Sequence, residues 1–333
     1  DVGELIKILE GARRGGTKNL EDKLEKLRKD IKEVKALKTK QEELNKELQS
    51  DADRKEQLES IQEAKSQVDA LRKNQEKLRT GAVDTKQQVQ LAEQVARHPS
   101  RFAGLVALPL QYPDAAITEL HRCVNDLGFV GVNVNGFSQK EEEYSHLYYD
   151  LPEYRPFWAE VEKLGVPFYM HPRNPLTDHM PMYDGHPWLT YATWAFAMET
   201  SVHALRLMCS GLFDEHPDLQ LILGHLGERI PFDLWRLDHR LEEDPKGVPA
   251  KKSIRHYMQN NVHVTTSGQF YDPPLHLTIT EVGVDRVLFS VDYPFEPMKD
   301  GCEWFDHADL SDGDRKTIGR TNAIKLFGLP LSA

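Results

Sequence analysis

The stretch LQLILGHLGE, residues 219–228, decides the fold of this chain. An apolar run, 219–223, ends at Gly224 and His225, and an acidic residue, Glu228, follows. A short apolar run bounded by glycine is typical of a strand buried in a parallel sheet. His225 would then lie at the carboxyl end of that strand, where α/β enzymes place their reactive groups.

Two other stretches repeat this pattern. The run VPFYM, 166–170, ends at His171, and the run RVLFSV, 286–291, ends at Asp292. A neutral imidazole at a strand end is a good metal ligand, although a hydrogen-bonded core histidine is the alternative. A carboxylate next to an apolar strand is costly to bury without a cation or a proton. Three strands that each end in a titratable group predict an active site.

His225 and Glu228 are three residues apart, and we expect Glu228 to enter the helix that follows the strand. That spacing would place the two side chains on one helix face, as an acid/base pair. The neighbouring Arg229 would serve either as a clamp for a substrate carboxylate or in an interface ion pair. Residues 265–268, TTSG, would either line the pocket or form a structural turn.

Composition excludes several functional classes. The net charge of −11 over 333 residues argues against nucleic acid as the main partner. The three cysteines form no CxxC pattern, which favours a reducing compartment, and we expect a cytoplasmic protein. No apolar run approaches the roughly 18 residues that a membrane span requires, so no membrane partner is expected.

Residues 1–87 differ from the rest of the chain. They contain no Pro, His, Cys or aromatic residue, and they carry 21 basic and 19 acidic side chains. Apolar residues from Leu20 to Leu37 recur every three or four positions, which predicts a helical coiled-coil hairpin or an intermolecular coiled coil. Its role would be oligomerisation or spacing. A recognition arm is the alternative, but balanced charges support nucleic-acid binding only weakly.

Residues 88–333 form the second predicted domain, in which strands and helices alternate. This order predicts a parallel sheet, either doubly wound or closed as a barrel. No GxGxxG motif follows an early strand, so dinucleotide binding is unsupported. The predicted helices are 88–97, 113–126, 153–164, 195–215, 230–243, 252–259, 273–282 and 312–326. The six predicted strands are 102–108, 129–135, 166–171, 219–225, 262–266 and 287–292.

Several motifs in residues 88–333 resemble those of one family, the amidohydrolase-2 group of metal-dependent (β/α)8 barrels. Within it, the chain is most similar to γ-resorcylate and 2,3-dihydroxybenzoate decarboxylases. The motifs are LGFVGVNVNGFSQ (127–139), YYDLPEYRPFW (148–158), VPFYMHPRNP (166–175), LILGHLGERIPF (221–232), VTTSGQF (264–270), RVLFSVDYPFE (286–296) and IGRTNAIKLFGL (318–329).

This resemblance implies a set of site residues. His171 and Asp292 match two ligands of a divalent zinc or manganese ion, and no organic cofactor is implied. His225 and Glu228 match the acid/base pair of the family, and Asp292 would also be the proton donor.

The substrate-binding candidates are Phe295, Asn133 and Arg229. Phe295 matches an aromatic residue that packs on the substrate ring, and Asn133 is expected near it. The implied reaction is non-oxidative decarboxylation of a small aromatic acid, such as 2,6- or 2,3-dihydroxybenzoate, in aromatic acid catabolism. The implied assembly is a homodimer or homotetramer.

The chain departs from the family at its start. The first strand of the family carries a Glu-x-His pair of metal ligands, whereas residues 1–87 contain no His. The predicted fold is therefore a TIM-like barrel that lacks its usual first two βα units, preceded by a helical hairpin. The barrel would be open on that side, completed by another chain, or the result of a misassembled gene or a fusion. Metal-dependent hydrolysis is the alternative activity, and a non-catalytic barrel remnant is the alternative class.

Overall fold

The computed structural model describes residues 89–140, 145–176 and 179–331, together with a few helical residues between 29 and 40. The chain divides into two compact units, Asp1–Leu91 and Ala92–Ala333, and the second unit contains the sheet and all the candidate site residues. Apart from those few helical residues, the predicted coiled-coil hairpin lies outside the described residues, and it stays a prediction.

The centre of the second unit is one parallel sheet of six strands, which lie side by side in chain order. They are β1 (Leu105–Val106), β2 (Gly131–Asn135), β3 (Phe168–His171), β4 (Leu221–Leu223), β5 (Val262–Thr265) and β6 (Val287–Leu288). All six predicted strands are confirmed, each shorter than predicted. Sequential parallel strands joined by helices are the winding of a (β/α) barrel. Within the described residues, β1 and β6 each pair with one neighbour.

Helices connect the strands and cover the sheet. They are α1 (Pro113–Leu127), α2 (Arg155–Leu164), α3 (Ala195–Cys209), α4 (Leu212–Glu215), α5 (Ile230–Glu243), α6 (Ile254–Asn260), α7 (Asp272–Val282), α8 (Met298–His307), α9 (Asp312–Lys316) and α10 (Asn322–Leu326). The single helix predicted over 195–215 is wrong, because Gly211, with φ of 78°, separates α3 from α4. Helix α8 was not predicted.

The strand register gives the sheet two different faces, because paired residues of parallel strands point to the same side. The core face is apolar and packs into the main hydrophobic cluster. One of its rows crosses five strands and consists of Val134, Met170, Leu223, Val264 and Val287, all of which are buried. This row explains why these five strands form, since each contributes an apolar side chain to the same layer.

The opposite face, which we call the site face, is mostly polar. The row next to the core row consists of Asn133, Tyr169, Ile222 and His263. His171 lies two residues beyond Tyr169 and therefore on the same face. Asn133 is exposed, whereas Ile222 is buried, so the site face is open to solvent at β2 and covered at β4.

Among the described residues, no helix is both long and apolar enough to cross a membrane.

Candidate active site

A left-handed turn follows β4 and carries two of the candidate residues. His225, Leu226, Gly227, Glu228 and Arg229 all have positive φ, between 50° and 84°. For residues other than glycine this conformation costs about 1 kcal/mol or more each. Such strain collects at functional sites, where the surrounding structure imposes it. The prediction that Glu228 lies on a helix face is therefore wrong, since helix α5 begins only at Ile230.

The turn brings His225 and Glu228 into direct contact. His225 Nδ1 lies 2.6 Å from Glu228 Oε1, a short charge-assisted hydrogen bond. The Glu228 side chain is 2% exposed, so its carboxylate has left water for this partner. The predicted contact of the pair is thus present, although a strained turn produces it instead of helical spacing.

Asp292 reaches the same imidazole from the segment that follows β6. Its Oδ2 lies 3.6 Å from His225 Nε2, close enough for electrostatic attraction but longer than a hydrogen bond. Burial by itself lowers the pKa of His225, but the Glu228 hydrogen bond and the charges of Glu228 and Asp292 outweigh it. The pKa of His225 is therefore raised, because both carboxylates favour its protonated form.

Backbone hydrogen bonds hold Asp292 in place. Its φ is 65°, and its carbonyl accepts hydrogen bonds from the amides of Phe295 and Glu296, at 2.9 and 3.1 Å. This tight turn directs the loop after Asp292 outward, and Phe295 is 78% exposed. Its predicted contact with a substrate ring stays a prediction.

His171 ends β3, as predicted, and its backbone carbonyl accepts a hydrogen bond from the Gly136 amide at 2.9 Å. Its Nδ1 is buried and has no hydrogen-bond partner among the described residues. A buried polar atom without a partner needs an explanation, and a ligand is one.

The described residues do not by themselves fit a divalent metal. Across 89–140, 145–176 and 179–331, no group of three or more His, Cys, Asp or Glu side chains is arranged to hold one. A catalytic zinc site usually has three protein ligands, and the sequence predicts only His171 and Asp292 here. Their assignment as metal ligands stays a prediction.

Three hydroxyl groups form a cluster on the site face, which we call the hydroxyl cluster. Tyr169 Oη lies 3.0 Å from Thr265 Oγ1 and 3.3 Å from Ser267 Oγ, and the last two atoms are 2.6 Å apart. From the sequence, Thr265 and Ser267 were expected either to line a pocket or to form a turn. Tyr169 was not among the predicted site residues. Its position two residues before His171 was the available signal, since such residues share a face.

The remaining substrate-binding candidates, Arg229 and Asn133, are exposed to solvent. Arg229 is exposed, and its guanidinium lies 4.3 Å from the centre of the Trp194 ring, a cation–π contact. Arg229 thus contacts the residue that precedes α3, and its two predicted roles stay predictions. Asn133 is exposed on β2, and β3 separates it from β4, the strand that His225 follows.

The chain was compared with known families and proteins. The family model described as Amidohydrolase matches residues 42–329. The chain is 58% identical over 241 residues to a gamma-resorcylate decarboxylase from Rhizobium sp. (strain MTP-10005), an alignment that covers 72% of this chain and 74% of the relative.

Solved structures give the same relationship. A 2,6-dihydroxybenzoate decarboxylase from Rhizobium superposes with a TM-score of 0.73 at 56% identity, covering 75% of this chain and 79% of that one. A dihydroxybenzoic acid decarboxylase from Polaromonas sp. JS666, with bound manganese and the inhibitor 2-nitroresorcinol, also has a TM-score of 0.73, at 50% identity. That match covers 76% of this chain and 77% of the other. The fold of the described unit is therefore that of these barrels.

Proposed function

The chain belongs to the amidohydrolase family, and we propose on that basis that it is a carboxy-lyase acting on a hydroxybenzoate. The substrate would be 2,6-dihydroxybenzoate, which yields resorcinol and CO2, or 2,3-dihydroxybenzoate, which yields catechol and CO2. The reaction would be reversible and non-oxidative. One observation carries the proposal beyond similarity. The imidazole of His225 lies between the carboxylates of Glu228 and Asp292, at 2.6 and 3.6 Å, an arrangement that can pass on the proton that this reaction requires.

The reaction replaces a carboxylate with a proton. The proton adds to the ring carbon that bears the carboxylate, which interrupts aromaticity at that carbon. The C–C bond then breaks, CO2 leaves, and the electron pair of the bond restores the aromatic ring. An ortho hydroxyl group makes this carbon more basic, so neither an oxidant nor an organic cofactor is needed. The protein must therefore supply a well-placed acid.

We assign the acid to Asp292. Its carboxylate would take a proton from His225 Nε2, which lies 3.6 Å away, and pass it to the ring carbon. A small approach of the two groups on substrate binding would close this distance to a hydrogen bond. Glu228 holds the opposite ring nitrogen, keeps the imidazole charged and, with His225, manages the phenol proton.

A divalent ion, manganese or zinc, is the proposed cofactor. His171 and Asp292 are two residues that would contact it, one fewer than the three protein ligands of a usual catalytic zinc site. The manganese in the Polaromonas enzyme and the unpartnered His171 Nδ1 support this proposal. Such an ion would orient the carboxylate and the ortho oxygen of the substrate. None of the proton transfers above depends on it.

We also propose a homo-oligomer, a dimer or a tetramer. Phe232 and Trp235 support it, because both are on α5 and are 72% and 68% exposed. Large exposed aromatic side chains next to each other are typical of protein interfaces.

The test is an assay of the 333-residue chain with carboxyl-¹³C-labelled 2,6- and 2,3-dihydroxybenzoate, in the presence of MnCl2 or ZnCl2. We expect labelled CO2 in equal amount to resorcinol or catechol. In D2O, one deuterium should appear at the ring carbon that bore the carboxylate. A chain that releases no labelled CO2 with either metal would contradict the proposal and favour a non-catalytic barrel, and hydrolysis of an ester or lactone without CO2 would favour the hydrolase alternative.

A further inference from the structure

The hydroxyl cluster has no part in the proton path proposed above, although it lies next to the acid/base pair. Thr265 and Ser267 are 3% and 2% exposed, so their hydroxyl groups are shielded from solvent. Buried hydroxyl groups persist where they satisfy one another or a third group. The question is which third group this cluster serves.

The surroundings of Gly224 identify this third group as the Glu228 carboxylate. A Cβ atom at this position would lie 3.4 Å from Tyr169 Oη, 3.5 Å from Glu228 Oε1 and 3.6 Å from Ser267 Oγ. These three oxygens therefore border one small space at the end of β4, which stays free because residue 224 is glycine. Glu228 Oε1 and the hydroxyl cluster therefore border the same space, although no hydrogen bond joins them in the structure.

The number of protons decides how the cluster meets a carboxylate. Three hydroxyl groups carry three protons, and a closed ring of three hydrogen bonds would use all of them. Such a ring would present only lone pairs to Glu228, and lone pairs repel an anion. If one of the three contacts opens, one hydroxyl proton becomes available to the carboxylate.

The distances identify the contact that opens. Thr265 and Ser267 are closest, at 2.6 Å, and Tyr169 and Ser267 are farthest apart, at 3.3 Å. The longest contact is the weakest of the three. It joins the two oxygens that border the space beside Glu228, so the proton set free by its opening lies on the correct side.

We propose that Tyr169 and Ser267 are positioning residues for Glu228, and that one of their hydroxyl groups donates a hydrogen bond to its carboxylate. This bond holds the carboxylate towards His225 Nδ1. Thr265 supports the arrangement by fixing the other two hydroxyl groups. The inference rests on the proposed function only for its kinetic test, since the geometry of the pair can be measured without turnover.

The kinetic test uses Tyr169→Phe and Ser267→Ala. Each variant should lower kcat about tenfold with KM unchanged, because a hydrogen bond to a charged group is lost. In a Glu228→Gln background, Tyr169→Phe should cause almost no further loss, since residues that act through one group are not additive. An equal fold-loss in both backgrounds would overturn the proposal.

Tyr154→Phe is the matched control. The Tyr154 hydroxyl is buried and donates at 2.8 Å to the carbonyl of Leu110, which follows β1, three strands away from β4. This variant loses the same atom from the same type of residue. It should lose stability but keep its kcat, so a fall in kcat that matched Tyr169→Phe would mean a general packing effect and overturn the proposal.

The ¹⁵N chemical shifts of the His225 ring, assigned with His225→Gln, provide a test that needs no activity. Tyr169→Phe and Ser267→Ala should shift the Nδ1 resonance, because the carboxylate that it contacts moves, and Tyr154→Phe should not. Gly224→Ala should shift it as well, since its methyl group enters the shared space at ordinary contact distances and with an unstrained φ of −71°. An unchanged Nδ1 resonance in all three site variants would refute the inference, whereas failure of the CO2 assay alone would refute only the proposed reaction.

Discussion

The two faces of the sheet use the same strands for opposite purposes. On the core face, Val134, Met170, Leu223, Val264 and Val287 are apolar, buried and interchangeable in kind. On the site face, polar side chains satisfy one another in specific pairs, of which Tyr169 with Thr265 is one. The core face therefore stabilises the fold through the apolar area that it buries. The site face serves the reaction through the relative positions of its polar groups.

The sharpest test of this contrast is on the site face. Asp292→Asn should lower kcat about 1000-fold, since it removes the proposed proton donor, while the free energy of unfolding changes little. Steady-state CO2 release and urea unfolding of the same preparation measure both quantities. Asp309→Asn is the matched control, because that carboxylate is 91% exposed, and it should keep full activity. If Asp292→Asn retained full turnover, Asp292 would not be the acid.

The reverse result is expected on the core face. Leu221 lies on β4, is 1% exposed and is two residues before Leu223 on the same face. Leu221→Ala should lower the free energy of unfolding by about 3 kcal/mol through lost burial and a cavity. Its folded fraction, determined by urea titration, should turn over at the normal rate. A large fall in the kcat of the folded fraction would show that the two faces are not separable.

Glu228→Gln tests the electrostatic part of the site face. It should lower kcat about 100-fold, because the amide cannot keep His225 charged. The pKa of His225 is raised above its usual value of about 6.5, so its proton is present below that pH and is lost as the pH rises through the raised value. Loss of the carboxylate lowers this pKa, and the alkaline limb of the pH–rate profile should move to lower pH. An unmoved limb would mean that another group titrates there.

The same shift has a consequence for stability. The charged His225 stabilises the fold below the pKa of the unfolded chain, and this contribution disappears as the pH rises through the raised pKa of the folded state. Urea unfolding at pH 6 and pH 9 should show a smaller loss of stability on alkalinisation in His225→Gln than in the unchanged chain. An identical loss in both would contradict the raised pKa.

The smallest effect is expected at Arg229, which is exposed. Arg229→Ala removes the cation–π contact with Trp194, which is worth about 0.5–1 kcal/mol at an exposed site. Arg229→Lys keeps the charge and is the control for the clamp that the sequence analysis left open. A KM that rises severalfold in Arg229→Ala but not in Arg229→Lys would identify a carboxylate clamp, whereas an unchanged KM in both would leave only the contact with Trp194.

The sequence predicted the layers of this fold from local patterns. Short apolar runs located all six strands, and three of these runs placed His171 at the end of β3 and His225 and Asp292 in the segments that follow β4 and β6. The prediction failed where a local pattern was misleading. Residues 195–215 have a continuous helical pattern, yet Gly211 adopts a conformation that ends a helix. Helix α8 was missed although its amphipathic pattern is as strong as that of α1.

By itself, then, the sequence determined which strands form and which residues stand at their ends, because burial along one strand is a local property. The tertiary structure decided which of these groups meet. His225 and Asp292 are 67 positions apart and come from strands separated by β5, and only the convergence of the strand ends brings them to 3.6 Å. The left-handed turn after β4 and the hydroxyl cluster have the same origin. Interactions between distant residues impose them, and no short pattern encodes those interactions.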